Sequence, residues 1–246
     1  MKPRSGYLAT GMQGSEELRL LLRETLSRQR ISHVLETGTY LGLGSTTFAA
    51  ESFPASSPPE VFVTIEVNWV SWREAKRNLR RFPFVTPLWG RTVAAKTALE
   101  FLENDHVLRN PDRYPDIFID DTRDPVRFYR NEILGALGGA HKGRRQAMRW
   151  LFDRVFSYAG GDLLEKYLVR FQTKDPLIIM DSAGGIGFLE FSILERVMQN
   201  HSYLLLLDDI NHIKHFRSCE HIKKDQQFSI LGLDESRGWL LAKHGP

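Results

Sequence analysis

Along this chain, apolar and polar positions alternate with two different periods. Leu18, Leu20, Leu21, Leu22 and Leu26 stand among Glu and Arg after Ser15, which predicts a capped helix running to about Arg30. Ile31, Val34 and Leu35 form a short apolar lead ending in Glu36. Val61-Phe-Val-Thr-Ile-Glu66 is β-branched and also ends in an acid, so it predicts a strand. Asn68 can cap the next helix, where Trp72, Ala75, Leu79 and Phe82 form a stripe opposite a basic face. Phe84 to Trp89, Pro176 to Asp181 and Tyr203 to Asp209 predict further strands, with a helix from about Gly187 to Gln199 between the last two. A His-rich helical stretch follows, and Phe228 to Leu233 with Gly238 to Lys243 predict a closing hairpin. Strands alternating with helices before an antiparallel pair imply an α/β fold: a mainly parallel sheet, doubly wound, with helices on both faces.

Residues 105–174 break the rhythm. Asp116-Ile-Phe-Ile-Asp-Asp121 would add one strand too many, so it is read as an edge strand or part of an insertion. Between Arg123 and Arg154 stand eight basic residues against three acidic ones. Met148, Leu151, Phe152 and Val155 fall on the opposite side of a helix from Arg145, Arg149 and Arg154, which favours a helical lid or a homodimer element over a nucleic-acid surface. The predicted organisation is a cover helix at 1–30, a main domain at 31–104 and 175–246, and a mainly helical insertion at 105–174.

Composition narrows this only a little. At 246 residues, 42% apolar and 26% charged, the chain suits one globular domain with an insertion, and its formal charge of +3 is mild. Cys219 stands alone, which excludes an internal disulfide framework and fits a reducing cytoplasmic setting. No stretch approaches the ~20 apolar residues of a membrane span.

The chemistry concentrates in Glu36-Thr-Gly38-Thr-Tyr40-Leu-Gly42-Leu-Gly44-Ser45, a strand end followed by a glycine-rich turn and a helix start. The spacing is neither that of dinucleotide binders nor that of a phosphate-binding P-loop. With Glu66 closing the second strand, Gly90-Arg91-Thr92 after the third, Asp181 and Asp208-Asp209 closing the next two, and Gly238-Trp239 in the hairpin, the chain resembles class I S-adenosylmethionine-dependent methyltransferases over residues 31–103 and 175–245. The resemblance implies seven strands with the last antiparallel, and S-adenosyl-L-methionine as cofactor. It also implies cofactor contacts from Glu36, Gly38, Tyr40, Gly42, Ser45, Glu66, Arg91 and Asp181. In that scheme Glu66 takes the ribose diol, Gly38, Tyr40, Gly42 and Ser45 surround the methionine part, and Arg91 and Thr92 lie by the adenine.

For the reaction itself, Asp181, Asp209 and His212 are the candidates. The two aspartates are 28 residues apart, similar to the metal carboxylates of the catechol O-methyltransferase group. That group has Asp-Asn where this chain has Asp209-Ile210, so a divalent metal is not favoured. His212 and His215, three apart, are expected on one helical face, with His212 removing a proton from the acceptor. His221 is read as solvated. The expected activity is O-methylation of a small-molecule hydroxyl. The alternatives are an RNA-directed methyltransferase, suggested by the basic insertion, and a binding protein that keeps the fold without catalysis.

Overall fold

The computed structural model describes residues 11–134, 161–182 and 184–245. Seven strands form one sheet: β1 His33–Thr37, β2 Val61–Glu66, β3 Val85–Trp89, β4 Leu177–Met180, β5 Tyr203–Leu207, β6 Phe228–Asp234 and β7 Trp239–His244. Their order is β3-β2-β1-β4-β5-β7-β6. The first five pair in parallel, and β7 runs antiparallel to both β5 and β6. This is the sheet expected from the sequence, with its reversed final pair.

Nine helices are described: α1 Glu16–Arg28, α2 Ser45–Ser52, α3 Trp69–Asn78, α4 Ala95–Asn104, α5 His106–Arg109, α6 Pro125–Ile133, α7 Leu163–Phe171, α8 Gly187–Met198 and α9 Phe216–Ile222. Because successive strand residues point to opposite faces, Val34, Leu177, Ile179, Leu204 and Leu206 pack with α1, α2 and α3. Their neighbours Leu35, Ile178, Met180, Leu205 and Leu207 pack with α7, α8 and α9. Ser15 and Asn68 cap α1 and α3 as read from the sequence: Ser15 Oγ accepts from Leu18 N–H, and Asn68 Oδ1 from Val70 and Ser71 N–H.

Part of the inserted segment belongs to the sheet layers. Leu164, Leu168 and Phe171 of α7 are buried in the second of these cores. A third core joins α4, α5 and α6 to Ile186, Ile213 and Phe216, which follow β4 and β5. These helices therefore stand over the carboxyl ends of those strands. Residues 135–160, which carry Gly135, Gly138, Gly139 and much of the basic run, lie outside the described residues. Asp116–Asp121 forms no strand; Phe118 makes one parallel bridge to His212. Among the described residues no helix is long and apolar enough to cross a membrane.

Candidate active site at the carboxyl ends of the strands

The chain winds outward from β1 through β2 to β3, then returns past β1 to lay down β4. The order therefore reverses between β1 and β4, where open α/β sheets leave a crevice. Gly38 sits at that point with φ +88°, and a Cβ there would lie 2.2 Å from the Asp181 carbonyl oxygen. Only glycine permits the backbones to meet so closely. Gly38 and Thr39 N–H both donate to Ile65 O, which ties the turn to β2. Tyr40, itself at φ 49°, donates its N–H to Glu66 Oε2 at 2.7 Å, and Asn68 N–H donates to Oε1 at 2.6 Å. The Glu66 carboxylate is thus clamped between the glycine turn and the start of α3. At Gly42, φ +71°, a Cβ would strike Leu79 at 2.7 Å, so this glycine lets the turn fold back onto Leu79.

Glu36 lies beneath the turn, fully buried. Its Oε2 accepts from Thr46 Oγ1 at 2.6 Å, while Oε1 has no hydrogen-bond partner. Burial pushes its carboxyl up to about 7, against the pull of the Thr46, Thr64 and Ser45 hydroxyls. Ser45, also buried, opens α2 just above it.

At the ends of β4 and β5 the structure brings Asp181 and Asp209 together, with an ammonium between them. Lys214 Nζ lies 2.5 Å from Asp209 Oδ2 and 3.6 Å from Asp181 Oδ1, with its side chain 9% exposed. Burial alone would lower the Lys214 pKa, but Asp181 and Asp209 outweigh it and hold the group charged. Burial raises Asp181 while Lys214 draws it down. Asp208 is pushed up to about 7 by burial and then by the Asp181 charge. Its Oδ1 accepts from Met12 N–H at 3.1 Å. Met12–Gly14 is a 3-10 turn whose Gln13 amide lies against Gly44 and whose Gly14 carbonyl accepts from Arg237.

His212 is not on a helix. Asp209 takes a left-handed conformation, φ 59°, and Phe118 exchanges backbone hydrogen bonds with Asn211 and Ile213, so α9 starts only at Phe216. His212 and His215 therefore do not share a helical face. His212 Nδ1 accepts from Lys214 N–H at 3.2 Å, which leaves the ring hydrogen on Nε2, donated to Asp120 Oδ2 at 3.0 Å. Tyr129 OH donates to the same oxygen at 2.8 Å. His215 is buried against Gly187, and burial holds its pKa well below the ordinary value.

Among the solved structures that resemble the chain are two O-methyltransferases. They are an O-methyltransferase from Bacillus cereus in complex with SAH (15% identity, 94% of this chain and 81% of that one, TM-score 0.47) and the O-methyltransferase TomG from Streptomyces achromogenes, involved in tomaymycin synthesis, in complex with SAM (14% identity, 94% and 81%, TM-score 0.47). No protein-family model matches the chain, and no curated protein matches it. Likeness at this level carries no function, so the function is read from this chain's own side chains.

The Thr92 hydroxyl is engaged within the protein. It donates to Glu190, which also accepts from Ser182 and so ties the loop after β3 to the loop after β4. The carbonyls of Arg91 and Thr92 accept from Leu163 and Leu164 N–H at the start of α7. Sequence reasoning missed Lys214, Asp120, Tyr129 and Glu132. Glu132 is pushed up to about 7, by burial first and then by Asp120, and its Oε2 has no partner. The one signal for Lys214 was its place five residues after Asp209; nothing in the pattern pointed to the others.

Proposed function

We propose that this chain is an S-adenosylmethionine-dependent methyltransferase acting on a hydroxyl of a small molecule. The observation that carries this reading is the unpartnered Glu36 Oε1, buried at the point where strand order reverses. A buried carboxylate oxygen without a donor fits a ligand that brings its own N–H groups and positive charge, as this cofactor's amino-acid ammonium does. Glu66, its carboxylate plane fixed by Tyr40 and Asn68, suits the ribose diol. Gly38, Tyr40, Gly42 and Ser45 enclose the methionine part, Arg91 stands on the adenine side, and Asp181 borders both halves of the site. When bound, the cofactor supplies an electrophilic methyl group on its sulfonium.

The side chains of this chain then orient the acceptor and take its proton. Asp181 and Asp209 hold the Lys214 ammonium, a fixed positive charge toward which an acceptor oxygen can turn. The same contact argues against a divalent ion there, since both carboxylates already face an internal cation. His212 positions Asp120 rather than acting as the base, because its one lone pair is taken by Lys214 N–H. Glu132 is the group to which the acceptor's proton would pass, since its Oε2 lies beside Gly184 in the loop after β4 and its carboxyl is tuned near neutrality. Helices α5 and α6, packed with α4, form the acceptor-side wall, a lid role for that part of the insertion. The engagement of both His212 nitrogens is also what a binding protein without catalysis would show. Formation of S-adenosylhomocysteine from a panel of hydroxylated acceptors separates the two readings.

Calorimetry with S-adenosylmethionine and S-adenosylhomocysteine tests the cofactor. Saturable binding is expected; binding of NAD with no response to either sulfur ligand would overturn the reading. Glu66→Ala should weaken binding by ~10–100-fold, the worth of one or two hydrogen bonds to a charged group. A second expectation concerns protons. With its pKa near 7, Glu36 is roughly half protonated at pH 7, and an ammonium beside it favours the ionised form. Binding should release ~0.5 proton per site at pH 7, and affinity should rise from pH 6 to pH 8. Binding heats compared in buffers of different ionisation enthalpy measure that release directly.

A further inference from the structure

On the far side of the sheet from α1 to α3, a second group of side chains converges without any part in the site above. Glu195 of α8, His221 of α9 and Asp225, just beyond α9, each aim one ligand atom at the same place, all within 4.8 Å of one another. His221 Nε2 is 3.2 Å from Glu195 Oε2 and 3.4 Å from Asp225 Oδ2. A ring nitrogen carries at most one hydrogen, so hydrogen bonding can satisfy only one of these two approaches.

Each carboxylate is also held from behind. Tyr203 OH donates to Glu195 Oε1 at 2.7 Å, and Gln227 N–H donates to Asp225 Oδ1 at 2.9 Å. In both cases the anchored oxygen leaves its twin turned toward His221. The imidazole is fixed edge-on against Phe191, with ring centroids 5.5 Å apart. Such outer partners orient ligands for a metal ion. The two separations from His221 agree as well: ligands at ~2.0–2.1 Å from a tetrahedral zinc ion stand about 3.3–3.4 Å apart.

We propose that Glu195, His221 and Asp225 form a binding site for a divalent transition metal, zinc by donor type, with water in the fourth position. One imidazole and two carboxylates give a net charge of −2, which a divalent ion neutralises, and mixed nitrogen and oxygen donors select zinc over magnesium. His221 is 47% exposed on its side chain, so the ion has an entry path and room for its water. The ion would clamp the end of α9 to α8, a structural role separate from methyl transfer.

Titration of the tag-free full chain with Zn²⁺ at pH 7.5 tests the site, with Co²⁺ as a spectroscopic probe. The expected result is one ion per chain, a rise in Tm of several degrees and a tetrahedral Co²⁺ absorption band. His221→Ala and Glu195→Gln should each weaken zinc binding tenfold or more while the circular dichroism stays unchanged. Absence of saturable binding overturns the proposal. So does binding of equal strength in both variants, which would place the ion elsewhere.

Discussion

Replacing Lys214 with methionine is expected to lower folding stability by about 3–5 kcal/mol at pH 8, the usual cost of breaking a buried ion pair from one side. Methionine keeps an unbranched side chain, one atom shorter, and removes the ammonium with its charge and its hydrogen-bond donors. Asp181 and Asp209 would then face each other, with Asp208 close by, and no cation among them. The pH dependence follows from the direction of the shifts. Burial already raises Asp181 and Asp208, and losing the ammonium raises them further. A carboxyl raised in the folded state contributes stability below its unfolded pKa and loses it as pH climbs through the folded one. The deficit should therefore be largest at pH 8 and shrink toward pH 5 in urea denaturation. Lys214→Met with Asp209→Asn should recover part of the loss. A deficit independent of pH would show that the aspartates do not rely on Lys214.

Gly38→Ala is expected to cost at least ~3 kcal/mol and to abolish cofactor binding with it. The φ of +88° already strains any residue with a Cβ, by ~1–3 kcal/mol. The Asp181 carbonyl, 2.2 Å from the added methyl, is backbone and cannot swing aside. The pairing of β1 and β4 would have to open. Gly245→Ala serves as the control, since its Cβ would meet only Ser202 Oγ at 3.8 Å; a change within ~0.5 kcal/mol is expected there. Thermal melts of the two variants side by side check both expectations.

The sheet was readable from the sequence because it rests on local signals. Runs such as Phe62–Ile65 and Tyr203–Leu207 are buried on both faces and so read as β-branched or apolar segments. The acids at their ends were visible for the same reason, and Glu36, Glu66, Asp181 and Asp209 do lie at the carboxyl ends of β1, β2, β4 and β5. What pairs with them was not readable. Asp120 and His212 are 92 positions apart, and they meet only because Phe118 bridges to the turn after β5. The helical expectation for that turn failed through the left-handed Asp209, a conformation that composition does not announce. The α7 segment falls inside the span read as an insertion, and only its packing against β1 and α8 shows it to be a cover of the sheet.

The turn at Met12–Gly14 has a bearing on the order of assembly. Its hydrogen bond to Asp208 joins positions 196 residues apart, and Arg237 reaches back to Gly14 across 223. Neither bond can form until the fifth strand and the hairpin are in place, since both partners are positioned by the sheet. Closing so long a span draws on chain entropy that local contacts do not. The turn is therefore expected to dock after the sheet is complete, and in pulse-labelled hydrogen exchange the Met12 amide should gain protection after the amides of β5 and β7.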